Sequence, residues 1–198
     1  MNKKYKLFAL LSLVQISLSG CAAVLPLSVA TTTMLISDER SIGAMIDDKM
    51  IYSKITSEFS KSGNAHLFMS ISLNVLEGRV LMTGSVVSNE CAENAVKIAW
   101  SVKGVREVIN EINVEMKPIK NSANDALIEQ AISSRFLVEK NFMSTNYKIS
   151  VNNSVAYLLG IAQNKDEMDK ALSIASSTKG VDKVVNYIIL KDDPRRGK

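Results

Sequence analysis

The side chains that most often carry out catalysis are scarce in this chain, and their spacing does not favour a reactive centre. Its 198 residues include one histidine, His66, and two cysteines, Cys21 and Cys91. A histidine-based triad would have to use His66 as its base, but the neighbouring Asn64 favours a solvated loop at this point. No cluster of cysteine and histidine has the spacing of a zinc site. We therefore predict that the protein is not an enzyme and holds neither a metal nor a dissociable cofactor.

Cys21 has the most distinctive surroundings of these residues. It follows three lysines near the start of the chain and an apolar run from Leu7 to Leu18, which is the order found in secretory signal peptides. The run is too short to span a bilayer. The boundary Leu18-Ser19-Gly20-Cys21 resembles the lipobox of bacterial lipoproteins, in which the cysteine thiol receives diacylglycerol. The alternative is an ordinary signal peptide followed by a chance cysteine.

The lipobox resemblance implies that residues 1–20 are removed and that Cys21 becomes an acylated first residue. Each acyl CH₂ buried in a bilayer stabilises the attachment by about 0.8 kcal/mol, so several chains hold a protein firmly. Ala22 follows the cysteine, and in the enteric sorting rule a residue other than aspartate resembles an outer-membrane address. Residues 21–45 are predicted to be the lipidated cysteine and its tether. Cys91 then has no partner within the chain, and no internal disulfide is expected.

The charge of the chain argues against a nucleic-acid partner. The whole chain has 24 basic and 20 acidic side chains, and removal of the signal peptide takes away three lysines. The remaining 21 basic and 20 acidic side chains give a net charge of +1, whereas nucleic-acid-binding domains usually carry a basic stripe. Residues 118–191 hold a small basic excess and residues 46–117 a small acidic one. The second half is therefore the better candidate for contact with an anionic surface.

A repeat with a period of 76 positions organises the chain from residue 46 onward. Gly84 corresponds to Gly160, and Gly104 corresponds to Gly180. A glycine within a strand usually marks a bulge or a close approach of the backbone, and a glycine after a helix favours its C′ position. Two copies predict two similar modules in tandem. We assign them to residues 46–117 and 123–191, with a linker at 118–122 and a polar, frayed tail at 192–198.

Both copies show the same succession of hydrophobic patterns. The first begins with a helical stripe of Ile51, Ile55 and Phe59, followed by two strands of alternating polarity, a second helix and a last strand. A right-handed crossover should make the second and third strands parallel. The predicted fold class is α+β: two tandem α-β-β-α-β modules, each a small three-stranded mixed sheet with two helices on one face. Modules of about 70 residues are marginally stable alone, so we expect the two to support each other.

The first helix of the second module, predicted at Asp125–Lys140, carries more apolar residues than its core stripe needs. The surplus apolar residues and the basic residues among them are Leu127, Arg135, Leu137, Val138, Lys140 and Phe142. Such a combination is typical of a helix end that contacts an anionic bilayer surface. The alternative is that the surplus packs against the first module. Trp100, which corresponds to Ser176, belongs either to the edge of the core or to an interface.

The glycine pairs, the lipobox and the segment Asp38–Asp48 together resemble the dual BON-domain outer-membrane lipoproteins, and the resemblance covers the whole chain. It implies a lipid-anchored protein of the outer membrane that faces the periplasm and binds anionic phospholipid. It also implies support for envelope integrity and for septal cell-wall remodelling. Two other functions stay open: an adapter that docks an envelope or cell-wall-remodelling protein without recognising lipid, and a hydrolase that depends on His66.

Overall fold

The computed structural model describes residues 42–61, 63–115 and 122–196. All of them belong to one compact unit, Ser37–Lys198. The predicted signal peptide and Cys21 lie outside the described residues, as do most of the predicted tether and linker.

The first module has the predicted order of elements with one short helix added. Its elements are α1 (Ile42–Ser60), α2 (Ala65–Ser70), β1 (Ile71–Leu76), β2 (Arg79–Val86), α3 (Asn89–Ser101) and β3 (Glu107–Val114). β1 pairs antiparallel with β2, and β3 pairs parallel with β2. Helix α2 lies where we predicted a loop, and Leu67 is its one buried residue among His66–Ser70. So short a segment gives no periodic signal from which a helix could be predicted.

The second module repeats this topology. Its elements are α4 (Ser122–Val138), a 3-10 turn (Ser144–Asn146), β4 (Tyr147–Asn152), β5 (Val155–Ala162), α5 (Lys165–Ser176) and β6 (Lys183–Leu190). β5 lies between an antiparallel β4 and a parallel β6. The predicted fold class of two tandem mixed-sheet modules is therefore confirmed.

The two sheets pack against each other through faces that their own helices do not cover. In β2, Val80 and Met82 face the helices of the first module, whereas Leu81 lies in a separate cluster between the sheets. Successive side chains of a strand point to opposite faces, so β2 is buried on both sides. The cluster between the sheets consists of Leu76, Leu81, Ile109, Tyr157, Leu159, Ile161 and Ile189. This shared core lets each module stabilise the other.

The repeated strand glycines fill equivalent positions for different steric reasons. Gly84 has a φ of +121°, and a Cβ added there would lie 2.2 Å from the backbone oxygen of Ser70. At Gly160 an added Cβ would lie 2.4 Å from the ring of Tyr147. The group closest to Gly84 is therefore a backbone oxygen, and the group closest to Gly160 is a side-chain ring. A larger residue is excluded at both unless its surroundings move.

The C-terminal segment differs from our expectation of a frayed tail. Arg196 donates two hydrogen bonds to the carboxylate of Glu77, at 2.7 and 3.0 Å, so residues 192–196 are held against the hairpin of the first module. Glu115, which follows β3, accepts a hydrogen bond of 3.0 Å from Asn153 in the hairpin of the second module. Each hairpin is therefore tied to the chain that follows the last strand of the other module.

Candidate functional site

All three charged side chains of α4 form hydrogen bonds within the protein. Asp125 is buried and accepts hydrogen bonds from the backbone N–H groups of Asn153 and Ser154, at 2.9 and 3.0 Å. Glu129 accepts one from the N–H of Val151 at 3.3 Å. Burial raises the pKa of the Glu129 carboxyl, and the bond from Val151 opposes this shift. These two contacts fix α4 to the β4–β5 hairpin and to the edge strand β4.

Arg135 fixes the other end of α4. Its guanidinium donates hydrogen bonds to the carbonyl oxygen of Ile174 at 2.6 Å, to the hydroxyl of Thr178 at 2.7 Å and to that of Ser177 at 2.9 Å. These acceptors surround the C-terminal end of α5, where helix carbonyls lack helical partners and the helix dipole favours a cation. Arg135 therefore joins α4 to α5, and this differs from the direct lipid contact that we predicted for it.

The outward surface of α4 has no charged side chain apart from Arg135, whose guanidinium is already bonded. Leu127, Leu137 and Val138 are 64%, 72% and 79% exposed. The other exposed residues are small or uncharged: Ala123, Asn124, Ala126, Gln130, Ala131, Ser133 and Ser134. The equivalent helix α1 exposes Asp47, Lys49 and Lys54 instead. We call Leu127, Leu137, Val138 and the small residues between them the α4 outer face.

The apolar residues of the α4 outer face are arranged along the helix. Eleven positions make about three helical turns, which brings Leu127 and Val138 to the same side, roughly 16 Å apart. Leu137 neighbours Val138 at the C-terminal end, and the exposed Lys140 follows two positions after the helix. The alternative that these apolar residues pack against the first module does not hold for Leu127, Leu137 and Val138. They form an exposed strip that ends at a lysine.

Phe142, which we predicted to contact lipid, is instead part of the core of the second module. It is 8% exposed, and its ring stacks on Tyr147 with centroids 4.7 Å apart and tilts against Phe136 at 4.7 Å. The helix ends at Val138, and Asn141 has a φ of +56°, so the chain folds back beneath α4. We predicted a helix that ends at Lys140 and is followed by Phe142, and the spacing within that helix does not report the turn that buries this ring.

Two cavities that share Asn74 and Lys148 lie along the edge strands β1 and β4, one beside α4 and the other beside α1. One, of about 430 Å³, is lined by residues that include Asn74, Glu129, Leu137 and Lys148. The other, of about 280 Å³, shares Asn74 and Lys148 and continues toward Tyr52. We call the two cavities together the intermodule crevice. Both modules contribute to it, so no local sequence pattern predicts it.

The other residues considered for chemistry stand apart from this region. His66 is exposed on α2, and Cys91 is half-buried near the start of α3, where its sulfur accepts a hydrogen bond from the Ser88 hydroxyl at 3.2 Å. Within residues 42–61, 63–115 and 122–196, no group of three or more histidine, cysteine and carboxylate side chains could hold a metal ion. Trp100 is 51% exposed, which favours an interface over the core. None of the described helices is long and apolar enough to cross a bilayer.

Comparison with known proteins gives matches over both modules. The BON domain profile matches residues 47–116 and again residues 124–192. A protein of Anaplasma centrale described as an uncharacterized protein in gshII 5'region is 38% identical over 153 residues, which cover 76% of this chain and 99% of that protein. The outer membrane lipoprotein DolP of Haemophilus influenzae is 28% identical over 181 residues, which cover 91% and 93%. The 21 kDa hemolysin of Actinobacillus pleuropneumoniae is 28% identical, with 76% and 78% covered.

Proposed function

We propose, from the premise that this chain belongs to the BON-domain family, that it is an outer-membrane lipoprotein which faces the periplasm and binds anionic phospholipid through the α4 outer face. Its membership rests on the two profile matches, which cover most of the chain. Its similarity to an outer membrane lipoprotein of Haemophilus influenzae over 91% of its length supports the envelope location. The observation that carries the lipid-binding function is an exposed apolar strip on a helix whose charges are all bonded internally.

The energetics of the α4 outer face favour contact with a membrane. Full burial of a leucine or valine side chain stabilises by about 1.5–3 kcal/mol, and three such residues are available. A lysine beside an anionic surface contributes about 1 kcal/mol, which Lys140 supplies. The carboxylates of α4 have partners inside the protein, so contact with lipid does not require new partners for them. Three apolar side chains and one lysine give only weak affinity for a membrane by themselves. The affinity becomes sufficient when an anchor already holds the protein at the membrane.

The anchor is the acylated Cys21. A second attachment near a first one benefits from a high effective concentration, so the acyl chains and the α4 outer face would act on a membrane together. We propose that this attachment supports envelope integrity and septal cell-wall remodelling. Replacement of Cys21 by serine should release the protein from membranes and abolish incorporation of labelled palmitate. Palmitate incorporation that persists in Cys21→Ser would contradict the anchor.

Co-sedimentation with phosphatidylglycerol vesicles tests the lipid contact, with residues 37–198 as the protein, because this unit contains all three hydrophobic cores. Leu137→Glu should weaken vesicle binding at least tenfold, since it introduces a negative charge into the apolar strip. Ser60→Glu is the matched control, because Ser60 is the exposed counterpart of Leu137 at the end of α1. Equal binding by Leu137→Glu and the unsubstituted protein would show that the α4 outer face does not bind lipid.

An adapter function is the second candidate, and the exposure of Trp100 favours it. Tryptophan is enriched among the residues that dominate protein interfaces. Lys97 lies one helical turn before Trp100, and Lys103 follows the end of α3. A photo-crosslinker at position 100 should trap an envelope protein in cells if this surface docks a partner. Crosslinks to lipid alone would count against the adapter.

A further inference from the structure

Each module ends in a strand that forms one edge of its sheet. β3 pairs with β2 and β6 pairs with β5, and no other strand among residues 42–61, 63–115 and 122–196 pairs with either of them on the far side. An edge strand presents backbone N–H and C=O groups to which a strand of another chain can bond, so such an edge is a site of association between copies of a protein. These two edges would admit an added strand unless something occupies them.

The hydrogen bonds at the ends of the two strands show which backbone groups face outward. The N–H of Glu115, directly after β3, donates to the carbonyl oxygen of Val86 in β2 at 2.8 Å. The N–H of Lys191, directly after β6, donates to that of Ala162 in β5 at 2.8 Å. In a parallel ladder, alternate residues of a strand bond to the same neighbour. The N–H groups of the even-numbered residues from 108 to 114 and from 184 to 190 therefore point away from the sheets.

One outward N–H on each edge is already bonded within its own strand. The side-chain oxygen of Asn110 accepts a hydrogen bond from the N–H of Ile112 at 3.2 Å. The side-chain oxygen of Asn186 accepts one from the N–H of Ile188 at 2.8 Å. Asparagine side chains that bond to a backbone group two positions later compete with the hydrogen bonds of a sheet. The same residue type makes the same bond in both modules, so the arrangement is a property of the repeated unit.

The two asparagines lie on the face of each sheet that packs against helices, and the core does not account for them. Val108 and Ile112, two positions to either side of Asn110, pack against the core of the first module, and side chains two positions apart point to the same face. Asn110 and Asn186 are nevertheless exposed. The side-chain amide of Asn186 also donates to the sulfur of Met168 in α5 at 3.7 Å. Polar side chains at the rim of an edge strand are one means by which proteins prevent strand addition.

We propose that Asn110 and Asn186 close the outer edges of the two sheets to an added β-strand, and so keep copies of this chain from pairing edge to edge. With the N–H groups of Ile112 and Ile188 occupied, an added strand meets at most two consecutive outward N–H groups, those of residues 108 and 110 or of residues 184 and 186. This run is short, since strands usually extend over about five or six residues. The inference holds whether or not the α4 outer face binds lipid.

Light scattering from residues 37–198 at increasing protein concentration tests the closure. We expect Asn110→Val to associate into dimers and larger species at concentrations where the unsubstituted protein does not. Asn113→Val is the matched control and should not associate further, because it makes the same exchange on the same strand at a residue whose N–H faces β2. Asn110→Asp should also behave like the unsubstituted protein, since a carboxylate oxygen can accept the hydrogen bond from Ile112. Equal association of Asn110→Val with either the unsubstituted protein or Asn113→Val would overturn the proposal.

Amide hydrogen exchange, followed by NMR, tests the hydrogen bond itself. In the unsubstituted protein, the N–H of Ile112 should be protected from exchange at least tenfold more than the N–H of Asn110, which also faces outward. Asn110→Gln should remove this difference, because the longer side chain does not match the two-residue spacing. This variant replaces Asn110→Val if the latter does not fold, judged by circular dichroism.

Two results of the exchange measurement would overturn the closure: equal protection of Ile112 and Asn110 in the unsubstituted protein, or unchanged protection of Ile112 in Asn110→Gln. Neither measurement contains lipid. Failure of the closure therefore leaves the α4 outer face as proposed, and failure of vesicle binding leaves the closure as proposed.

Discussion

Arg135 of α4 donates a hydrogen bond of 2.6 Å to the carbonyl oxygen of Ile174 in α5. This bond and the two to Ser177 and Thr178 orient the helix that carries the proposed lipid contact. Under the proposed function, the arginine would act on lipid binding through the position of α4, and Leu127, Leu137 and Val138 would provide the contact. A positioning role and a direct lipid contact predict different effects of replacing Arg135 on stability and on vesicle binding.

Arg135→Ala should lower the free energy of unfolding by about 1–2 kcal/mol. A hydrogen bond to a charged group contributes about 1.5–3 kcal/mol, and the exposure of Arg135 to solvent reduces this contribution. Urea denaturation measures this change. Arg135→Lys should recover only part of the loss, since an ammonium cannot reproduce the guanidinium fork. If Arg135→Ala loses vesicle binding while its urea midpoint stays unchanged, the arginine contacts lipid directly and its structural role is wrong.

Gly84→Ala should destabilise the protein more than Gly160→Ala. The new methyl at position 84 meets a backbone oxygen at 2.2 Å in a residue with positive φ, whereas at position 160 it meets the Tyr147 ring, which can shift. Overpacking of a core costs about 1–3 kcal/mol, and Gly84→Ala should reach or exceed the upper end. The measurement is the free energy of unfolding in urea.

Gly63→Ala is the control for these glycine variants. Gly63 also has a positive φ, +92°, but no atom lies within 4 Å of an added Cβ. The free energy of unfolding that Gly63→Ala loses should therefore reflect backbone strain alone, about 1 kcal/mol. A loss at Gly63 equal to that at Gly84 would show that steric overlap with Ser70 contributes nothing.

Glu129→Gln should stabilise the protein at neutral pH, and the gain should fade in acid. Burial raises the pKa of the Glu129 carboxyl above its ordinary 4.5, so the folded state holds its proton more tightly than the unfolded state does. The charged form is penalised above the folded pKa, and the penalty disappears as pH falls toward 4.5. Asp125 and Lys148 line the same cavities as Glu129 and are not substituted in the variant. The measurement is the urea midpoint of Glu129→Gln and of the unsubstituted protein at pH 7.5 and at pH 4.5. A stability gain of the variant that is larger at pH 4.5 than at pH 7.5 would contradict the prediction.

Arg196→Ala should destabilise the protein by about 1–3 kcal/mol, because it leaves the nearly buried carboxylate of Glu77 without its partner. The double variant Glu77→Gln with Arg196→Ala should lose less than the sum of the two single losses. Arg195→Ala is the control: its partner Asp193 lies within the same segment and Arg195 is 57% exposed, so its loss should stay under about 0.5 kcal/mol. Additive losses for Glu77 and Arg196 would mean that the C-terminal segment is not held there.

The amino-acid sequence by itself determined the order of the elements and the division into two modules. Apolar residues at helical spacing in Ile51, Ile55 and Phe59, and the glycines repeated at positions 84 and 160, are local signals. Each of these signals depends only on residues a few positions apart: the apolar spacing reflects the helical period, and the glycines reflect what the backbone requires at those positions. The signal at Leu18–Cys21 is local in the same way, and it concerns residues outside the described structure.

Only the tertiary structure decided which partner each side chain finds. The run from Val80 to Met82 is apolar throughout, and its pattern does not reveal that a second sheet covers one face. Arg135 bonds to α5 and Phe142 stacks on the Tyr147 ring, while Leu137 of α4 stays exposed. Arg135 and Ile174 are 39 positions apart along the chain. Their contacts depend on how whole elements pack, and the spacing of residues within one element carries no record of that packing.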